Sequence, residues 1–329
     1  MSDRFDYTLP FSAINQFPYE NPEDSKLLIA NTRNIYSFSD LPKLVPTNSL
    51  FILNKSKVKK VRILTSKLTG GKLEIFILKI IDDFTASCLI KSTDKKNIDK
   101  FYKTTDFNFQ ILNKEQDSFI CKFNIQVNDL IKEYGILPLP PYIKDDPEKR
   151  KKYNNEFSDD GFSVASPTAG LHFSNKLISK LEQSNDFAFV NLDVNIDTFK
   201  PMKSSNLNEH NIHSETYSIT SDDFNKIIEF KNKGKPIYCV GTNSLSAIET
   251  AYTSNNLSGT TDLFIKPDTK INIPNFLITN FHAPMSSLLS IIENVYGEHW
   301  KELYEYALNN KLKFLSFGDA VLFEYKWTL

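Results

Sequence analysis

The apolar residues of this chain come in short runs in its first half and in alternating strand-like and helix-like runs in its second. Leu50-Phe51-Ile52-Leu53 is a continuous apolar run bounded by polar residues and predicts a buried strand. Residues 1–30 read as extended and irregular, because Pro10, Pro18 and Pro22 interrupt any helix. Gly70-Gly71 marks a turn, and Lys72–Ile81 behind it is an apolar, β-rich run. Phe84–Ile90 and Ser118–Ile125 continue the series with no helical period between them. The stretch to about Val127 thus predicts a small all-β domain of antiparallel strands. Leu137-Pro-Leu-Pro-Pro-Tyr142 excludes helix and central strand and reads as a stiff linker. The charged run Lys144–Lys152 reads as the return from the β domain.

After Gly161 the pattern changes. Leu177, Ile178 and Leu181 have helical spacing, Phe187–Val194 reads as a strand, and Phe224, Ile227 and Ile228 belong to a helix. Pro236–Val240 is a strand running through Gly241-Thr242-Asn243-Ser244 into a helix. Phe276–Thr279 is another strand, with a helix from about Ser286, and Phe314–Leu322 closes the series. Such alternation predicts an α/β domain with a largely parallel sheet. The expected organisation is a discontinuous α/β major domain, residues 1–64 plus 146–329, into which the β domain, residues 65–145, is inserted.

Composition narrows the class. The chain has 329 residues, 40% hydrophobic and 24% charged, the balance of an ordinary globular protein. No apolar run approaches the ~18 residues a membrane helix needs, and the polar start Met1–Asp6 does not read as a signal peptide. Cys88, Cys121 and Cys239 are odd in number and far apart, which argues against a disulfide framework or a cysteine zinc site and fits a reducing, cytoplasmic setting. The net charge of −1 means that a nucleic-acid partner would be held by local patches. Lys55, Lys57 and Lys59 share one face of an extended segment that continues to Arg62, and Lys144 and Lys149–Lys152 form a second basic cluster. Each suits phosphates, and each is equally consistent with a solvated face.

Three segments leave a strand or turn and enter a helix, where ligands of α/β folds bind. They are Pro167–Phe173, Gly241–Ser244 and Thr279–Pro284. None has dinucleotide or P-loop spacing. Gly170 would permit close backbone approach to a ligand. His210, His213 and Glu215 could be a metal fragment or hydrogen-bonded scaffold; no Cys or Asp completes a ligand set, so no metal is expected. His299 beside Trp300 carries no expected role. Asp319, in a glycine turn, could receive a ligand cation or cap the turn.

Read together, these segments resemble the S-adenosylmethionine:tRNA ribosyltransferase-isomerases. The residues that carry the resemblance are Leu137–Ile143, Ala165-Ser-Pro-Thr-Ala-Gly-Leu-His-Phe173, Thr198–Pro201, His210–Glu215, Val240–Ser244, Thr261–Ile265, Leu277–His282 and Phe317–Ala320, with Asn54, Gly70–Lys72 and Glu74. The resemblance implies a discontinuous α/β domain with an inserted small β-barrel. It implies that the ribosyl part of S-adenosylmethionine is donated to a 7-aminomethyl-7-deazaguanine base at the tRNA wobble position. Adenine and methionine leave, and epoxyqueuosine is formed. S-adenosylmethionine is then a co-substrate, no further cofactor is needed, and a monomer is expected. This chemistry requires a general base at the ribose carbon beside the sulfonium and an acid or donor at adenine. His172, His282, His213, Glu215 and Asp319 supply groups of the right type. His172 and His282 lead, because histidine titrates near neutrality. Thr168, Ala169, Gly170, Gly241, Thr242, Asn280 and Phe281 are the expected S-adenosylmethionine-binding residues. Lys55, Lys57, Lys59 and Arg62 are those for tRNA. Thr168–His172, Gly241-Thr242, Asn280–His282 and Asp319 are expected to converge on one cleft.

The chain departs from the family pattern at defined places. Asn-Asp-Thr-Arg-Val is here Asn54-Lys55-Ser56-Lys57-Val58, and Leu-His-Val-Gly-Leu-Gly-Thr-Phe is here Leu192-Asp193-Val194-Asn195-Ile196-Asp197-Thr198-Phe199. Two arginines of the pattern are Ser246 and Met285. The rival readings are a non-catalytic RNA-binding paralogue or one of altered substrate, and a metal-dependent hydrolase.

Overall fold

The computed structural model describes residues 4–93, 96–115, 118–159, 161–195, 202, 207 and 214–325. The chain divides into two compact units, residues 1–58 with 139–329 and residues 59–138. In chain order the strands are Lys26–Ile29 (β1), Ile35–Ser37 (β2), Leu50–Asn54 (β3), Arg62–Ser66 (β4), Lys72–Ile80 (β5), Thr85–Lys91 (β6), Phe101–Lys103 (β7), Asn108–Glu115 (β8), Ser118–Phe123 (β9), Gly135–Ile136 (β10), Asp186–Leu192 (β11), Glu215–Ile219 (β12), Ile237–Val240 (β13), Ser258–Thr261 (β14), Phe276–Asn280 (β15) and Ala320–Glu324 (β16). The α-helices are Leu41–Leu44 (α1), Val127–Tyr134 (α2), Pro147–Lys151 (α3), Asn175–Leu181 (α4), Ser221–Asn232 (α5), Thr242–Ser254 (α6), Leu288–Tyr296 (α7) and Trp300–Asn309 (α8).

The larger unit is built on a nine-stranded sheet in the order β14-β12-β11-β3-β13-β15-β16-β1-β2. Its centre, β11-β3-β13-β15, is parallel. The flanking pairs β12–β14, β11–β12, β15–β16 and β1–β2 are antiparallel, so the sheet is mixed rather than largely parallel. The difference is legible in side-chain pattern. Central strands are covered on both faces and read as unbroken apolar runs, whereas Glu215-Thr-Tyr-Ser-Ile219 alternates exposed and buried positions as a half-covered antiparallel strand does.

Alternation assigns the central side chains to two cores. Leu50, Ile52, Ile237, Cys239 and Leu277 join the core that also holds buried residues of α5, α6, α7 and α8. Phe51, Leu53, Tyr238, Val240 and Ile278 point the other way, onto Leu177, Ile178 and Leu181 of α4. On that second face the register places Phe187, Phe51, Tyr238 and Phe276 side by side across four strands. Their rings stack with centroids 5.4, 5.0 and 4.4 Å apart. This ladder holds the parallel centre together.

Several elements differ from the sequence expectation. Residues 26–29 form β1, although the N-terminal stretch reads as irregular. Phe314–Asp319 is not strand: the chain turns through Leu315 at φ 68°, and a Cβ on Gly318 would lie 2.5 Å from the Lys313 carbonyl. The basic run holds the short helix α3, capped by Asp146, whose side chain accepts from the Glu148 N–H. Trp300 opens α8 and is buried among Tyr7 and Tyr304.

The smaller unit is an antiparallel seven-stranded sheet, β10-β4-β5-β6-β9-β8-β7. Leu68 N–H donates to the Lys103 carbonyl (3.2 Å) and Thr105 N–H to Ser66 (3.0 Å), so the sheet curls until β4 meets β7. Phe107, Phe109 and Phe123 fill its interior, and α2 adds Val127 and Leu130. Gly135 ends α2 because a Cβ there would lie 2.0 Å from the Lys60 carbonyl.

Phe51 stands inside the aromatic ladder and is fully buried. Phe51→Ala should lower unfolding stability by about 3–5 kcal/mol. Phe276→Ala, at the half-covered end of the ladder, should cost less. Urea unfolding of the two variants checks the order; equal losses would contradict it.

Candidate active site

The C-terminal ends of β13 and β15 lie side by side, and the chain leaves each in a turn. After β13, Gly241 takes φ 86°, a conformation that favours glycine, and opens α6 without any side-chain cap. The first amides of α6 thus donate no hydrogen bond to an N-cap side chain. A Cβ on Gly241 would lie 3.3 Å from the Ala169 Cβ, so the turn is tight. Ala169 belongs to a 3-10 turn, Thr168–His172, which does not merely precede a helix but packs as its own element against β15. Ser174 then caps α4 by accepting from Leu177 N–H (3.1 Å).

These segments enclose one cavity of about 280 Å³. Thr168, Ala169, Gly241, Thr242, Asn280, Phe281 and His282 line it, as the sequence leads one to expect. The Phe281 ring itself is buried, stacked on Phe314 at 4.6 Å. Tyr142, Ser166, Thr279 and Ser316 also line the cavity and were not singled out as site residues. Among the described residues no Asp, Glu, Lys or Arg is in the lining. The Ser166 hydroxyl is buried and has no hydrogen-bond partner among the described residues.

Asn280 lines the cavity, whereas His172, expected in the same cleft, is outside its lining and forms the wall behind Asn280. Asn280 Oδ1 accepts from the Thr168 hydroxyl (3.3 Å), and its Nδ2 donates to the Leu315 carbonyl (3.2 Å) and to His172 Nε2 (3.1 Å). His172 Nδ1 lies 2.8 Å from Ser25 Oγ, and that hydroxyl donates to the Pro22 carbonyl (2.9 Å). The donors fix the tautomer: Nε2 accepts, and Nδ1–H donates to Ser25. Both ring nitrogens are engaged. Phe38 stacks on the ring at 4.9 Å, and burial pushes the His172 pKa down from 6.5 to about 4. His282 has Nε2 3.2 Å from the Thr279 hydroxyl, and burial pushes its pKa down to about 3. Both imidazoles are neutral at pH 7, unlike histidines titrating near neutrality.

Asp319 is fully buried and lies outside this lining. Its Oδ1 accepts from the Tyr19 hydroxyl (2.7 Å) and Lys26 N–H (2.8 Å), and its Oδ2 from Lys313 N–H (2.7 Å). It clasps three chain segments. Gly170 also stays outside: a Cβ there would meet Asn155 Nδ2 at 2.6 Å and Phe157 at 2.9 Å, so its bareness accommodates side chains of this chain. Glu215 starts β12 and accepts from Asn195 N–H (2.8 Å). His210, His213, Asp197 and Thr198–Pro201 fall outside the described residues. Among the described residues no three His, Cys, Asp or Glu are grouped to hold a metal ion.

Of the basic stretch, Lys55 pairs with Asp159 (3.1 Å) and Arg62 with Glu74 (2.7 Å), Lys57 is exposed and Lys59 half-buried. Two departures from the family pattern meet each other. Ser56 Oγ donates to Asp193 Oδ1 (2.7 Å), which also accepts from Phe162 N–H (2.7 Å). Ser246 donates back to the Thr242 carbonyl (3.1 Å) inside α6. Met285 sits at φ 59°, its N–H bonded to the Phe5 carbonyl (2.9 Å).

The profile of the family described as queuosine biosynthesis protein matches residues 2–323. The chain belongs to that family. It is 34% identical over 334 residues to the S-adenosylmethionine:tRNA ribosyltransferase-isomerase of Francisella philomiragia, covering 97% of this chain and 98% of that one. It is 35% identical over 330 residues to the protein of the same name from Vesicomyosocius okutanii, covering 97% of each. The crystal structure of S-adenosylmethionine tRNA ribosyltransferase from Thermotoga maritima aligns with a TM-score of 0.55 at 28% identity, over 97% of this chain and 99% of that one. The family member described here thus shares its overall α/β architecture, two sheets with helices, with that enzyme.

The neutral histidines have a consequence for stability. In the unfolded chain both bind protons below about pH 6.5, whereas the folded chain holds them neutral down to about 4 and about 3. Their contribution is complete above pH 6.5 and is lost as the pH falls through the folded values. Each removes about 1.4 kcal/mol per pH unit in that window. Melting temperatures from pH 7 to 4 should fall less steeply in His282→Gln than in the parent; identical slopes would contradict the buried neutral state.

Proposed function

We propose that this chain transfers and isomerises the ribosyl moiety of S-adenosylmethionine onto the 7-aminomethyl-7-deazaguanine wobble base of tRNA, giving epoxyqueuosine-tRNA, adenine and methionine. The observation that carries the reading is the single cavity where Thr168, Gly241-Thr242, Asn280 and His282 meet at the strand ends. Its walls suit the co-substrate. The uncapped N-terminus of α6 offers amides and a positive dipole end to the methionine carboxylate. Asn280 and Thr168 offer fixed polar groups to the ribose or adenine. Ser166, buried and without a partner, is a further donor facing the cavity.

Among the expected acid–base groups, His282 is assigned to proton transfer because it lines the cavity. His172 is assigned to positioning Asn280. Residues 59–138 are read as the inserted barrel-like domain within a discontinuous α/β domain. Lys55, Lys57, Lys59 and Arg62 are the segment assigned to tRNA phosphates. S-adenosylmethionine acts as co-substrate with no other cofactor, and the working form is a monomer. No helix among the described residues is long and apolar enough to cross a membrane.

Purified protein incubated with S-adenosylmethionine and precursor-bearing tRNA should yield epoxyqueuosine, read by mass spectrometry of the nucleosides, with release of adenine. His282→Ala should lose ~10²–10⁴ in turnover, the range for a general acid or base, with a smaller change in S-adenosylmethionine affinity. Absence of the product nucleoside with the parent protein would overturn the function; full turnover in His282→Ala would remove that residue from the chemistry.

A further inference from the structure

A second cavity of about 210 Å³ lies against the other side of the wall. His172 lines it, while its hydrogen-bond partner Asn280 lines the first, and Ser316 lines both. The rest of its surface comes from Tyr19, Glu20, Lys151, Lys152, Asn155 and Glu156 among others. Its chemistry is unlike that of the first cavity, where no charged side chain is found among the described lining residues. Here two carboxylates and two ammonium groups stand at exposed positions.

The surface is held in place by the fold. Lys152 Nζ donates to the carbonyls of Tyr19 (3.4 Å) and Glu20 (3.2 Å), fixing that loop. Glu156 Oε2 accepts from Asn175 N–H (2.8 Å). Asn155 is 4% exposed, and its Nδ2 donates to the Pro167 carbonyl (3.3 Å). Its Oδ1 accepts no hydrogen bond from any described residue. A buried acceptor without a donor is destabilising, so it calls for a donor from elsewhere.

The ligand that matches has three parts. A flat ring with N–H donors answers Asn155 Oδ1. A cationic amine arm answers Glu20 and Glu156. A phosphodiester answers Lys151 and Lys152. A base reaching such a pocket has to leave its stack, with the backbone remaining at the rim. We propose that this second cavity receives the flipped-out, amine-bearing acceptor base of the RNA, while the first holds the sulfonium substrate. The assignment rests on the function proposed above. It places the two substrates on either side of the Asn280–His172 pair, next to each other at Ser316.

The test uses the full chain carrying Glu20→Gln and Glu156→Gln together. Both positions are exposed, and glutamine at 156 can still accept from Asn175 N–H, so the melting temperature should stay near that of the parent. Three probes are titrated: S-adenosylmethionine, an anticodon stem-loop bearing 7-aminomethyl-7-deazaguanine, and the same stem-loop bearing guanine. Affinity for the amine-bearing stem-loop should fall about tenfold or more, with the other two affinities unchanged. Loss of S-adenosylmethionine affinity with the stem-loops unaffected would overturn the assignment, because the cavity would then hold the sulfonium. An unchanged affinity for the amine-bearing stem-loop in an active protein would overturn it too, leaving the function intact. A parent that transfers no ribosyl group overturns the function and this assignment with it.

Discussion

Asn280 sits buried at the last position of β15 with both amide atoms engaged. Its carbonyl oxygen takes the Thr168 hydroxyl, and its amide nitrogen reaches the Leu315 carbonyl and His172. One side chain therefore sets three elements that are distant in sequence: the 3-10 turn after Pro167, the turn before β16 and the end of β15. It also determines the tautomer of His172, whose other nitrogen is tied to Ser25 and so to the N-terminal segment. A change at Asn280 would propagate into both cavities, because buried polar networks work only when each member is satisfied.

The position of this network follows from the sheet. Four parallel central strands end on the same edge, and each ending leaves backbone groups that must be met by turns, helices or ligand. The aromatic ladder fixes the register of those strands and so brings Gly241 and Asn280 level. Among the described residues the first cavity offers dipoles to a zwitterionic, sulfonium-bearing molecule: the start of α6, the Asn280 amide and the hydroxyls of Thr168 and Ser166. Burial of the two imidazoles at this edge keeps both histidines neutral at pH 7. In the proposed reaction, proton transfer is assigned to His282 and positioning to His172.

The parts of this arrangement that could be read from the sequence were those carried by local pattern. Leu50–Leu53, Pro236–Val240 and Phe276–Thr279 are apolar runs ended by Asn54, Gly241 and Asn280, so both the strands and their exits were visible. Most of the first cavity followed, since its residues cluster at those exits. What depended on long-range contact was not visible. Asp319 has the composition of a ligand group, yet Tyr19 and Lys26 reach it from remote positions and the nearby Lys313 N–H takes its other oxygen. Gly170 looks like a ligand approach until Asn155 fills the space beside it. Tyr142 lies in a proline-rich stretch that reads as linker, and only the packing turns its hydroxyl onto Ser316 at 2.7 Å. The hydrogen bond between Ser56 and Asp193 spans 137 residues and has no signature in either segment alone. The antiparallel flank at Glu215–Ile219 did carry a signal, its alternation, but an isolated five-residue alternation among polar residues is weak beside a continuous apolar run.

The central claim is that the cavity at the ends of β13 and β15 holds S-adenosylmethionine. Hydrogen–deuterium exchange with and without S-adenosylmethionine tests it directly, since exchange reads backbone opening segment by segment. Slowed exchange should appear in Thr168–Phe173, Gly241–Leu245 and Asn280–Ala283, with residues 59–138 unchanged. Protection absent from all three segments, or confined to residues 59–138, would contradict the account.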